Sequence, residues 1–67
     1  MKTLANRMIE RTFQLVKMPI IEVRQILADY EFYGDSPATK SERDTFKGIS
    51  REDLIRMILE WEFPEEK

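Results

Sequence analysis

Helical apolar periodicity runs through three stretches of this chain, and proline and glycine interrupt it at Pro19, Gly34, Gly48 and Pro64. That pattern constrains the fold more than any other feature, because proline cannot continue a helix and glycine readily closes one. Between about residues 3 and 17, Leu4, Ala5, Met8, Ile9, Thr12, Leu15 and Val16 follow helical spacing, with Phe13 at the edge of the stripe and Arg7, Glu10, Arg11, Gln14 and Lys17 opposite. A second helix is expected from about residue 19 to 31. Pro19 would sit at its first turn, and Ile20, Val23, Ile26, Leu27 and Tyr30 would face inward.

The last periodic stretch begins with Ser50 and Asp53 in cap and third-residue positions, and Ile49 with Leu54 forms a candidate hydrophobic staple. Leu54, Ile55, Met57, Ile58, Leu59 and Trp61 then leave only a narrow polar strip of Glu52, Arg56 and Glu60. A helix so broadly apolar belongs at the centre of the core, and its surplus apolar surface leads to an expectation of self-association. Trp61 is expected inside. Glu52 and Arg56 have the spacing for an (i, i+4) ion pair.

Residues 34–48 are the least hydrophobic part of the chain, with Ala38 and Phe46 as their apolar candidates. They read either as a polar connecting loop or as a short helix from about residue 37 to 46, opened by Ser36 as cap and Pro37 at the first position. The fold expected is therefore all-α: one domain over residues 1–67, a small bundle of three principal helices with an optional short fourth. Its acidic C-terminus should fray at about residues 64–67.

With 67 residues and no cysteine, the chain can draw stability only from helix packing or from oligomerisation. The absence of histidine and cysteine removes the common neutral-pH proton shuttle, the thiolate nucleophile and the usual zinc ligands. Asp35, Glu42 and Asp44 lack the alternating ligands and central glycine of a calcium loop. A non-enzymatic chain without catalytic, cofactor or metal residues is the expectation. No apolar run reaches the roughly 18–20 residues of a membrane span and no signal-peptide core is visible, so a cytoplasmic location away from the membrane is expected.

Charge is uneven. Residues 1–24 carry five Lys/Arg against two Asp/Glu, whereas residues 25–67 carry six against eleven. Arg7, Arg11 and Lys17 on the first helix are candidates to meet an acidic partner or the acidic end of a second copy, marked by Glu60, Glu62, Glu65 and Glu66. The motif YEFYGD adds aromatic candidates: Tyr30 continues the inward stripe, while Phe32 and Tyr33 either cap the core or anchor a partner. Phe63, just before Pro64, is expected to be exposed and joins this partner-binding set.

PIIEVRQILADYEFYG, a connecting segment and GISREDLIRMILEW resemble, over about residues 19–61, the helix, loop and helix order of SAP-type nucleic-acid-binding modules. The insert here is longer than that family's short loop, and no basic face accompanies it. The function expected is an interaction module, a regulator or adaptor that binds a larger protein through a helical or aromatic surface. A homo-oligomer is compatible with it, and the alternative is a small nucleic-acid-associated regulatory factor.

Overall fold

A computed structural model describes residues 3–34 and 36–64, and among them the chain forms four helices and no strand. These are α1 (Leu4–Lys17), α2 (Ile20–Glu31), α3 (Lys40–Asp44) and α4 (Arg51–Glu62). The bundle is all-α. The expected acidic tail falls largely on residues 65–67, which lie outside the described residues.

Each boundary follows from local chemistry. The Thr3 hydroxyl accepts a hydrogen bond from the Asn6 backbone N–H and opens α1. Pro19 forms the cap of α2, so the bend at Met18 lets a second helix begin after two extended residues. Ser50 caps α4 through the Asp53 N–H, as its position in the sequence leads one to expect. The alternative of a short helix in the polar segment is realised, but later and shorter than residues 37–46. Thr39, not Ser36, is its cap, and it forms a reciprocal capping box with Glu42. Gly48, at φ +92°, then turns the chain toward α4 in a backbone region that other residues enter only at a cost.

α4 packs against both α1 and α2, and α3 packs on α2. The core holds Leu15, Val23, Leu27, Ala28, Ala38, Phe46, Leu54, Ile55 and Ile58. The polar segment is fastened to α2 by side chains rather than by apolar area. The Asp29 carboxylate accepts from the Ala38 N–H, Gln25 donates to the Ala38 carbonyl, and Arg43 donates to Gln25. These bonds let Ala38 and Phe46 enter the core from a sequence that is mostly hydrophilic. At the other end, the Arg51 guanidinium donates to the carbonyls of Leu15 and Met18, joining the start of α4 to the end of α1. Positive charge at a helix C-terminus is favourable there. α1 and α4 are thereby antiparallel.

Several side chains depart from their expected places. Trp61 is half-exposed, because its indole lies against Tyr30, with ring centroids 5.8 Å apart and planes within 5°, while its N–H donates to Glu31. The indole therefore covers the outside of Tyr30 instead of entering the core. Arg56 pairs with Asp53 at 2.6 Å rather than with Glu52. The largest departure is in α1: only Leu15 is fully buried, whereas Ile9, Phe13 and Val16 are 53%, 60% and 50% exposed.

Candidate functional site

That exposure follows from the angular width of α1's apolar face. With 100° per residue, Leu4, Met8, Leu15 and Met18 cluster on the side toward the bundle, while Ile9, Phe13 and Val16 lie at i, i+4 and i+7 on an adjoining face. One neighbouring helix cannot cover both. On α4 the surplus is Leu59, only partly buried between the core residue Ile55 and the polar strip.

Where the two surpluses meet, an open groove of about 540 Å³ runs between the helices. Met8, Thr12 and Val16 of α1 form one wall, and Glu52, Ile55, Arg56, Leu59 and Glu60 of α4 form the other, with Phe63 just beyond α4. Its surface is almost wholly carbon. Beside it, Ile9 and Phe13 extend the apolar area along α1 as a ridge. Glu52 and Glu60 mark the outer edge of α4, and Arg56 between them is engaged by Asp53. The rim therefore presents net negative charge. A shallower depression at Met18, Glu22, Gln25 and Ile26 is about half as large, 290 Å³.

The residues expected to bind a partner do not converge on one place. Phe63 is buried, at 7% exposure, because the backbone beyond α4 folds it toward α1 and the Arg7 guanidinium covers its ring, 5.3 Å from the centroid. This corrects its expected exposure, although it lines the groove from within. Arg7 is exposed but carries this cation–π contact.

Arg11 is not on an open basic face. Its Nε and Nη2 donate to the two carboxylate oxygens of Glu62, each at 2.8 Å, and the Tyr30 hydroxyl donates to the same carboxylate at 2.6 Å. Burial opposes the charge on Glu62, but the bonds from Arg11 and Tyr30 outweigh it and hold the carboxyl below its ordinary value. Burial, with the bond to Glu62 and its charge, pushes the Tyr30 phenol up to about 12. The bond to Glu62 also raises Arg11, against the effect of burial. This three-residue junction joins α1, α2 and α4, so its chemistry is structural.

Phe32 is partly covered by an edge contact with Phe46, with centroids 6.2 Å apart. Tyr33 stands out at 83% exposure, beside Gly34 and away from the core. Of the expected aromatic anchors it alone is wholly accessible. The groove residues Met8, Thr12, Val16, Ile55 and Leu59 are absent from the expected binding set. Their signal was the excess apolar width of both helices, which periodicity displays but assigns to the core.

Taken as a class, the fold and this surface define a small all-α bundle with an open apolar groove between antiparallel helices. The chain matches no protein-family model, no curated protein and no solved structure. Among the described residues no helix is long and apolar enough to cross a membrane.

Proposed function

We propose that this protein is a non-enzymatic interaction module, a regulator or adaptor that docks the apolar face of an amphipathic helix from a larger protein between α1 and α4. The groove and its adjoining Ile9, Phe13 and Val16 ridge carry this reading: together they form one apolar surface that the packing of the described helices leaves uncovered. A long groove lined by carbon suits a helix presenting anchors at i, i+4 and i+7. Glu52 and Glu60 on the rim favour a helix with basic flanks. The nucleic-acid alternative gains no comparable support, since Arg11 is committed to Glu62.

The experiment is a titration of the isotope-labelled protein with a helical Leu/Ala/Lys peptide bearing leucines at i, i+4 and i+7. Amide and methyl shifts should concentrate at Met8, Thr12, Val16, Ile55 and Leu59, and Leu59→Glu should abolish them while Tyr33→Ala leaves them intact. Shifts that avoid the groove, or no binding up to millimolar peptide at a protein concentration where the chain sediments as a monomer, would refute the reading.

A further inference from the structure

The helix that this groove requires has apolar side chains at i, i+4 and i+7 and a basic flank. α1 itself presents a ridge of that spacing outward: Ile9, Phe13 and Val16 form it, and the edge beside Phe13 carries exposed Lys17 at i+4 and exposed Glu10 at i−3. We propose that in the free protein the groove is occupied by α1 of a second copy, in a two-fold dimer where each α1 lies in the other copy's α1/α4 groove. The inference rests on the groove being a docking surface and adds the identity of the occupant.

Self-complementarity is the first support. A two-fold interface must bring the same patch of each copy together, ridge into groove and groove onto ridge. Here one helix supplies both parts, because Met8, Thr12 and Val16 form a groove wall while Ile9, Phe13 and Val16 form the adjoining ridge. A two-fold axis parallel to α1 fits each ridge into the opposite groove. The two α1 helices then run parallel at the centre, with an α4 on either side.

Charge supplies the second support. Lys17 lies on the edge of the ridge that faces away from its own α4, and the two-fold rotation turns that edge toward the α4 of the other copy. An axis along α1 leaves height along the helix unchanged. Val16 and Glu52 line the groove together, and Arg51 binds the carbonyls of Leu15 and Met18, so Lys17 of one copy comes level with Glu52 of the other. Symmetry makes this opposite-charge contact twice, and it also brings Glu10, on the same edge, toward Arg56 and Glu60 of the other copy.

The third support is the small core. No cysteine is available to cross-link the chain, and burying the groove between two copies adds apolar contact that a single copy cannot make.

Sedimentation of the full chain from low micromolar to near-millimolar concentration tests the association. A dimer is expected. Phe13→Glu should remain helical by circular dichroism, because Phe13 is mostly exposed, and should sediment as a monomer. Lys17→Glu and Glu52→Lys each replace both intersubunit attractions with repulsions, and each variant alone should dimerise at least about tenfold more weakly, a change worth about 1.4 kcal/mol. An equal mixture should recover association as a heterodimer, since both contacts then pair a lysine with a glutamate.

A wild-type monomer throughout the range would overturn the proposal, as would a dimer indifferent to Phe13→Glu or a mixture that fails to recover. The Leu/Ala/Lys peptide separates the two readings. If the chain is monomeric but the peptide still perturbs the groove, only the second copy is eliminated; if the peptide also fails to bind, the docking surface falls with it.

Discussion

Replacing Glu62 by glutamine should remove the charge at the junction of α1, α2 and α4 while preserving the size of the side chain. Glu62 accepts three hydrogen bonds, two from Arg11 at 2.8 Å and one from Tyr30 at 2.6 Å. Hydrogen bonds to charged groups contribute about 1.5–3 kcal/mol when well buried, whereas exposed ion pairs contribute about 0.2–1 kcal/mol. The Arg11 and Glu62 side chains are 24% and 15% exposed, which places the junction between those limits. Glutamine also retains one acceptor oxygen, so a loss of about 1–2 kcal/mol is expected near pH 7. For a domain of this size each kcal/mol moves the midpoint of thermal unfolding by about 4–8 °C, giving a fall of roughly 4–16 °C by circular dichroism. Glu60→Gln, at an exposed position two residues earlier, should change stability by no more than about 0.5 kcal/mol. The pH dependence supplies a second readout. The Glu62 carboxyl is held below its unfolded value of 4.5, so its contribution is complete above that value and is lost as pH falls through the lower folded one. The gap between wild type and Glu62→Gln should therefore close in acid. A gap that stays constant from pH 7 to pH 3, or an equal effect of Glu60→Gln, would refute this reasoning.

Three further outcomes follow from particular positions. Gly48→Ala should destabilise by about 1 kcal/mol or more because φ there is +92°, whereas Gly34→Ala meets nothing within 4 Å and should be neutral or slightly stabilising; paired thermal melts distinguish them. Arg51→Met should cost about 1–2 kcal/mol in denaturant unfolding, with amide exchange accelerated at the last turn of α1, because the Leu15 and Met18 carbonyls lose their shared donor. Phe46→Ala should remove about 3–5 kcal/mol, a large share of the total stability for a chain this short, while Tyr33→Ala should leave the thermal midpoint within about 2 °C.

Much of the secondary structure was legible because its determinants are local. Ser50 closes a hydrogen bond only three residues away, and Pro19 acts on its immediate neighbours. The inward positions of α2 were legible for a similar reason, since Val23 and Leu27 are buried at the spacing their periodicity implies. The polar segment was harder to read because Ala38 reaches the core through hydrogen bonds with Gln25 and Asp29, 13 and 9 residues distant. The candidate surface was only half legible: excess apolar width on the last helix was visible, but not which strip of it, or of α1, would remain uncovered.

An all-α bundle, the approximate bounds of its three long helices and the central place of α4 follow from local chemistry alone. Proline geometry, capping and apolar spacing act within a few residues, so no knowledge of the rest of the molecule was needed. Long-range packing is what set Arg11 against Glu62, 51 residues away, folded Phe63 beneath Arg7 and laid Trp61 over the outside of Tyr30. It also decided that Ile9, Phe13 and Val16 would face away from the core. Periodicity identifies which side chains gain from burial, but burial requires a surface brought from elsewhere in the chain. In this bundle α4 covers one side of α1's apolar face, and the remaining side forms the ridge beside the groove.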